Sequence, residues 1–304
     1  MRTPQLIGLI ALSLIWGASF MFIKVMLEEM GPVAVAWVRL GGGSLLLLVV
    51  AAPRLRSLSV RRLGDLLVLG ALSSAIPFML IPWGEVRIDS SLAAILNAAM
   101  PLFVVPLAHI ALVDERMTRL RTAGIAVGFA GVVVVIGSDL LDIARSSTQG
   151  QLAVVLASAS YAAGAVWTRR RMLGIDPTVL SAGQGVAAFL LVTPLLFAFE
   201  SAPPLLDLPS RVQLATLGLA LLSSGVAVPI YFWLVATVSA THAALVTYLA
   251  PIAALFWGWL VLSEGIAFAA VPGLVLIIAG VYLVTRAPAG AVAASPTPRS
   301  TLEL

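Results

Sequence analysis

The sequence predicts an all-α integral membrane protein with ten transmembrane helices, arranged as two inverted five-helix repeats with both termini in the cytoplasm. The first observation is composition: of 304 residues, 61% are hydrophobic and 11% are charged, and the mean hydropathy is +1.07. Soluble globular chains are about half apolar and about a quarter charged. This composition therefore excludes a soluble enzyme, a nucleic-acid-binding protein and a disordered protein. The other two observations are a series of long apolar runs and an internal repeat.

The apolar runs have the length that a membrane requires, since a helix needs about 20 apolar residues to cross the hydrocarbon. The ten predicted spans are 5–27, 32–52, 63–83, 90–113, 120–138, 150–168, 177–199, 212–235, 241–262 and 266–285. The first is too long for the apolar part of a signal peptide and is interpreted as an uncleaved helix. Residues 287–304, rich in Ala, Pro, Ser and Thr, have no apolar period and are predicted to form a disordered cytoplasmic tail.

Basic residues are concentrated in alternate loops. Thirteen of the 18 Lys and Arg residues fall on one side of the predicted topology: Arg2, Arg54, Arg56, Arg61, Arg62, Arg116, Arg119, Arg121, Arg169, Arg170, Arg171, Arg286 and Arg299. Cytoplasmic loops carry such an excess, so we expect a multi-pass protein of the cell inner membrane with cytoplasmic termini. The same rule accounts for the net charge of +4 without a nucleic-acid partner.

An internal repeat relates the two halves of the chain. Its order is kept through five consecutive spans and divides the chain into residues 5–138 and 150–286. The matched pairs include Trp16 with Tyr161, Lys24 with Arg169, Arg39 with Gln184, Ser73 with Ser223, Pro101 with Pro251 and Glu115 with Glu264. Because five is odd, the second unit begins on the opposite side of the membrane. Inverted repeats of this kind are the arrangement from which alternating access arises.

The residues also resemble a known family. The segment Leu14-Ile15-Trp16-Gly17-Ala18-Ser19-Phe20, Lys24, Arg39, and the repeated order of a mid-helix proline, a helix-end glutamate and a glycine-bearing helix resemble the EamA-type family of the drug/metabolite transporter superfamily. The resemblance covers about residues 5–286. It implies a secondary transporter in the lipid bilayer, exporting small metabolites such as amino acids, with a cavity walled mainly by spans 1, 3, 4, 6, 8 and 9. The second repeat departs from the pattern at Tyr161-Ala162 and at Gln184.

Two aromatic residues lie midway along equivalent spans. Interfacial aromatic belts explain tryptophans at helix ends, but they do not explain Trp16 or Tyr161. Such residues either pack in the core or wall a pocket. Their equivalent places in the two halves favour a substrate pocket, to which Ser19 and Phe20 also belong.

Prolines mark a second group of candidates. Pro101 and Pro251 release the carbonyls of Asn97 and Thr247 from their helical hydrogen bonds. Each carbonyl is either capped within a kink or contacts the substrate, as the neighbouring Tyr248 is also predicted to do.

Two further prolines are assigned to gating. Pro77, near Ser73, and Pro229, near Gly225, predict bends in spans 3 and 8. The span 3–4 and span 8–9 hairpins would then act as gates.

Arg39 lies about seven residues inside span 2, where an arginine costs roughly 2.5–3.5 kcal/mol on insertion scales and needs a partner. It either forms a structural pair with Glu28 or Glu29 or clamps a substrate carboxylate. The equivalent Gln184 joins the candidate site. Lys24 is expected to extend toward the membrane surface and pair with Glu28 at i,i+4.

The acidic residues are informative by position, because none of the 14 lies in mid-span and Glu85, Glu115 and Glu264 are at helix ends. Without a midplane acid we expect no proton relay, and neutral, zwitterionic or weakly anionic substrates are favoured. Cation–π contact is the remaining route for a cation.

No catalytic residue, metal site or cofactor is predicted. Neither His109 nor His242 has a second ligand at metal spacing, and Walker, H-E-x-x-H and G-x-S-x-G motifs are lacking. The chain has no cysteine. It is therefore not expected to be an enzyme.

Two other functions stay open, a passive channel or facilitator and a non-transporting membrane sensor or assembly subunit. A monomer is favoured over a homodimer, because close helix packing explains Gly124, Gly128 and Gly131 in span 5.

Overall fold

The computed structural model describes residues 3–57, 62–112, 117–137, 146–237, 245–265 and 268–286, and within these ranges the regular structure is helical, with no strand. The helices are α1 Thr3–Met26, α2 Pro32–Ala51, α3 Leu63–Glu85, α4 Ser90–Ala111, α5 Arg119–Ile136, α6 Ser146–Arg171, α7 Pro177–Phe199, α8 in three successive pieces (Ser210–Leu217, Gly218–Val226 and Ala227–Thr237), α9 Leu245–Leu262 and α10 Val271–Arg286. The tail 287–304 lies outside the described residues.

Eight of these helices contain segments long and apolar enough to cross a membrane, and two shorter apolar helices, Leu249–Leu262 and Val271–Thr285, follow them. The prediction of an all-helical membrane protein is confirmed. Each apolar run coincides with a helix because the backbone N–H and C=O groups of a segment in lipid must form their hydrogen bonds within that segment.

Two of the described helices begin after a residue whose own side chain accepts a hydrogen bond from the first turn. Asp176 caps α7 by accepting from Thr178 N (2.8 Å) and Val179 N (3.3 Å), and Pro177 occupies the first helical position. Burial raises the pKa of the Asp176 carboxyl, but these bonds and the charge of Arg54 outweigh it and lower the pKa overall. Thr118 caps α5 in the same way.

Three helices depart from regular α geometry where prolines occur. A π-helical turn spans Ala71–Ala75 in α3, just before Pro77, and another spans Gly218–Val226 in α8, just before Pro229. Helix α4 is interrupted between Asn97 and Met100, so Pro101 lies in the first turn of a new segment, where its missing N–H breaks no bond. Pro251 instead lies inside the continuous helix α9.

Charged residues distinguish the two ends of the bundle. At one end of the bundle, Arg54 lies 3.7 Å from Asp176 and Arg62 lies 3.6 Å from Asp65, and we call this the basic end. At the opposite, acidic end, Glu28 lies 3.4 Å from Arg211.

The helices pack in pairs that run across the two halves of the chain. Helix α5 packs on α10 and α2 on α7, whereas α1 packs on α8 and α9 just as α6 packs on α3 and α4. Each contact in this set therefore has an equivalent in which every helix is replaced by its counterpart in the other half of the chain.

Glycines allow the closest of these approaches. A Cβ at Gly124 would lie 2.7 Å from the carbonyl oxygen of Gly280, and one at Gly131 would lie 2.7 Å from that of Gly273. These positions of α5 are covered by α10 of the same chain, as the helix-packing interpretation expects.

Candidate functional site

A cavity of about 980 Å³ lies between the helices. Its inner end is formed by Ile23, Ile81 and Ala94, and it extends along the bundle to Arg121 and Arg169 at the basic end. Its volume is in the range of small-molecule sites. The cavity is therefore directed toward the basic end and ends before the acidic end.

Aromatic side chains from both halves of the chain form the inner part of the cavity. Trp16 of α1 packs against Tyr231 of α8 with ring centroids 5.4 Å apart, and Tyr161 of α6 meets Phe78 of α3 edge-on at 6.4 Å. Phe20 is also part of the lining. The two mid-span aromatic residues predicted from the sequence thus line one cavity, and their contact with a substrate stays a prediction.

Tyr231 was missed by the sequence reasoning. A signal was present, because Ser224, Val228 and Tyr231 recur at helical spacing along α8 and all line the cavity. Ser19, which was predicted, also lines it, and its hydroxyl donates to the carbonyl of Ile15 at 3.4 Å.

Arg39 faces the cavity without the structural partner expected for it. Its guanidinium carbon lies 3.8 Å from the centroid of the Phe78 ring, a cation–π contact. Its Nε is buried and has no hydrogen-bond partner in the described part of the chain. Because Glu28 pairs with Arg211 and Glu29 is exposed, the predicted pair of Arg39 with Glu28 or Glu29 is wrong.

The charged lining of the cavity is cationic. Arg39, Arg121 and Arg169 line it, whereas no Asp or Glu of the described ranges does so. Charges of one sign between low-dielectric walls concentrate the potential inside a cleft. Such a cavity favours ligands that carry a carboxylate or another anionic group. Sequence reasoning used Arg121 and Arg169 for topology alone, although Arg169 matches Lys24 in the repeat.

The remaining predicted site residues fall into two groups. One group lines the cavity, and the side chains of the other lie outside the described residues. Asn97, Pro101, Gln184 and Pro251 are in the lining. The side chains of Thr247 and Tyr248 belong to the second group, so their part in the site stays a prediction.

The Asn97 carbonyl, which lies at the break in α4, has a nearby donor. The hydroxyl oxygen of Ser158 lies 3.4 Å from the Asn97 carbonyl oxygen and 3.3 Å from Asn97 Oδ1. It also lies 3.1 Å from the carbonyl oxygen of Val154. One hydroxyl proton can serve a single acceptor at a time. The Asn97 amide therefore keeps hydrogen-bonding capacity beside the cavity.

Beyond the inner end of the cavity, polar contacts tie the helices together at the acidic end. Glu264, after α9, accepts hydrogen bonds from Ser90 N (2.8 Å) and Ser91 N (3.1 Å) at the start of α4. Glu200, after α7, accepts from Val33 N (3.1 Å) and Ala34 N (2.9 Å) at the start of α2. Carboxylates at helix N-termini satisfy free N–H groups and complement the helix dipole.

Lys24 completes these contacts at a helix C-terminus. Its Nζ donates to the carbonyl oxygens of Glu85 and, at 2.8 Å, of Ile88. The predicted pair of Lys24 with Glu28 is wrong, because the two groups have these other partners. Instead of its i,i+4 neighbour, Lys24 binds carbonyls at the end of α3 and in the turn that follows it.

The Glu264 cap gives a testable stability effect. Glu264→Ala is expected to lower the free energy of unfolding by about 1–2 kcal/mol, the upper part of the range for loss of a helix cap, because two N–H groups lose their acceptor. The matched control is Glu28→Ala, which removes a half-exposed ion pair and should cost under about 1 kcal/mol. Thermal unfolding of purified protein in detergent measures both, and equal losses would contradict the assigned cap.

Comparison with known proteins adds to this geometry. A sequence model described as the EamA-like transporter family matches residues 3–137 and again residues 148–286. The uncharacterized transporter YoaV of Bacillus subtilis is 26% identical over 282 residues, covering 92% of this chain and 96% of its own length. The uncharacterized inner membrane transporter YedA of Escherichia coli K12 is 28% identical, covering 95% and 96%.

One further relative has a more specific name. A probable terminal-alkyne amino-acid exporter of Streptantibioticus cattleyicolor is 29% identical over 289 residues, covering 93% of this chain and 94% of its own. A solved crystal structure superposes with a TM-score of 0.64 at 18% identity, over 94% of this chain and 97% of the other. That similarity concerns the fold alone. Together with the apolar helices, the family match and the transporter relatives show that the chain is a multi-pass membrane protein.

Proposed function

The chain belongs to the EamA-like transporter family, and from this premise we propose that it is a secondary transporter that exports small carboxylated metabolites such as amino acids. The observation that carries the substrate class is the cavity itself. It combines Arg39 with aromatic walls at Trp16 and Tyr161, and its described lining holds no acidic side chain. The related amino-acid exporter supports the same class.

We further propose alternating access between two inverted repeats, residues 5–138 and 150–286. The exchange of helix contacts between the halves and the two separate matches to the family model support this arrangement. The π-helical turns next to Pro77 and Pro229 are places where α3 and α8 can bend. Movement there would open the acidic end and close the basic end.

The charge distribution supports an orientation in the membrane that is compatible with export. The positive-inside rule assigns the basic end to the cytoplasm, and with ten crossings both termini would lie there. The cavity would then face the cytoplasm, ready to take up a metabolite for export. A passive channel is less supported, because the cavity ends before the acidic end. The proposed transporter acts as a monomer in the bilayer.

Ligand binding tests this function and identifies the substrate in the same experiment. Purified protein is heated with each amino acid and with the amide of the same amino acid. A ligand that prefers the folded state stabilises it by roughly 2.7 kcal/mol at 100 times its Kd. At least one amino acid should raise the unfolding temperature of the protein, and the amide of that amino acid should not.

The compound found in this way is then assayed by counterflow in liposomes. Trp16→Ala and Tyr161→Ala should each reduce its counterflow, because each removes a wall of the cavity. Unchanged counterflow in both well-expressed variants would show that the substrate binds elsewhere. Equal stabilisation by acids and amides would reject the carboxylate class.

A further inference from the structure

Glu85, the last residue of α3, is a buried acid that the proposed transport site does not use. It is 0% exposed, and both carboxyl oxygens have no hydrogen-bond partner in the described ranges. From its sequence position at a helix end, no role in proton transfer is expected of it. Glu85 lies one helical turn beyond Ile81, which forms the inner end of the cavity. It therefore lies in the closed layer between the cavity and the acidic end.

The charged groups around Glu85 are engaged elsewhere. Lys24 of α1, Glu264 after α9 and Arg39 of α2 are close enough to act on it electrostatically. Lys24 donates to backbone carbonyls and Glu264 accepts from the N-terminus of α4. Arg39 stacks on Phe78. None of these neighbours forms a hydrogen bond with the carboxyl group of Glu85.

The remaining neighbours in the described ranges offer its carboxyl group no hydrogen bond either. Helix α6 approaches this part of α3 with Gly150 and Val154, which contact Gly84. On the connection that follows α3, Arg87 stacks on Trp83 and Asp89 is exposed. An ionised carboxylate without donors is costly away from water, and such a group neutralises instead.

We propose that Glu85 is a proton-binding site coupled to the acidic end, which closes when Glu85 holds a proton and is driven open when Glu85 is ionised. The inference rests on the alternating access proposed above. When the acidic end is open, the carboxylate takes a proton from the aqueous phase on that side. Closure then buries the neutral acid, and reopening returns the proton to the same phase. Acid outside the acidic end would thus favour the state whose cavity faces the basic end.

The absence of cysteine allows a direct accessibility test on the full-length protein in detergent. Ser91→Cys is the reporter, because Ser91 is 2% exposed at the acidic end and cysteine is close to serine in size. Ser201→Cys, in the exposed connection after α7, is the matched reference. The rate of modification by a water-soluble maleimide is measured for each from about pH 5.5 to about pH 8. The ratio of the two rates corrects for the pH dependence of the thiol itself.

With Glu85 present, the Ser91→Cys rate divided by the Ser201→Cys rate is expected to rise by about tenfold over this pH range. This lies below the upper limit for one coupled proton, which changes an equilibrium by at most tenfold per pH unit. In Glu85→Gln and in Glu85→Met the ratio should stay at the low value that the native residue shows in acid. A ratio that does not rise with Glu85 present overturns the inference, as does an equal rise in the neutral variants. A high ratio in both neutral variants at every pH would also overturn it, because neutral residues at position 85 would then not permit closure.

The outcome is separate from that of the proposed function, because the assay contains no substrate. A pH-dependent ratio together with no binding of any carboxylate would reject the proposed substrate alone. Counterflow of an amino acid together with a constant ratio would reject the role of Glu85 alone.

Discussion

Arg39→Gln is expected to weaken the binding of carboxylated ligands by roughly 30-fold or more, while the corresponding amides lose little. Removing one partner of a desolvated, charge-assisted pair costs about 2–5 kcal/mol, and about 1.4 kcal/mol corresponds to a factor of ten. Arg39 is placed for such a pair, because it lines the cavity and no acidic residue of the described chain has taken its charge. Counterflow and thermal stabilisation with acid and amide measure the effect.

Two further variants separate charge from shape. Arg39→Lys keeps the charge but loses the planar fork that stacks on Phe78, so an intermediate loss is expected. Arg169→Gln removes a charge from the exposed outer part of the cavity and should cost less than tenfold. Equal losses for acid and amide in Arg39→Gln would assign Arg39 a structural role.

Gly280→Leu is expected to prevent accumulation of folded protein. A Cβ at Gly280 would lie 2.5 Å from the Gly124 carbonyl oxygen and 2.5 Å from Gly128 Cα. These are backbone atoms, so a larger side chain must separate α5 from α10 instead of displacing a flexible side chain. The smaller change Gly280→Ala should already cost about 1–3 kcal/mol, the usual range for overpacking.

The control for this prediction is Gly64→Ala, where a Cβ would meet nothing within 4 Å. In α3 this substitution should be neutral or stabilise by up to about 1 kcal/mol, because alanine is the better helix former. Fluorescence-detected size-exclusion chromatography and thermal unfolding report both effects. A well-folded Gly280→Leu protein would contradict the close approach of α5 and α10.

Sequence reasoning found the helices and part of the cavity because both depend on local signals. The apolar runs locate α1 to α10, since a helix in lipid satisfies its backbone internally. Trp16 and Tyr161 stood out because mid-span aromatic residues are unusual away from the interface. These signals do not depend on which helix lies next to which.

The missed features depend on contacts between residues distant in sequence. The i,i+4 spacing predicts that Lys24 pairs with Glu28, but Lys24 binds carbonyls of residues 85 and 88, which are 61 and 64 positions later. Glu85 ends a helix, a position for which the sequence predicts no role in proton transfer, yet the helices around it exclude water. Whether a helix end meets water depends on its tertiary neighbours, and the repeat did not reveal them.

The carboxylate caps at the acidic end have a consequence for biosynthesis. Val33 precedes its acceptor Glu200 by 167 positions, and Ser90 precedes Glu264 by 174. Since a ribosome adds about 5–20 residues per second, α2 and α4 wait on the order of ten seconds or longer for these caps. The first half of the chain therefore enters the membrane with both helix starts lacking their carboxylates, and this end is completed late, after nearly the whole chain has been translated.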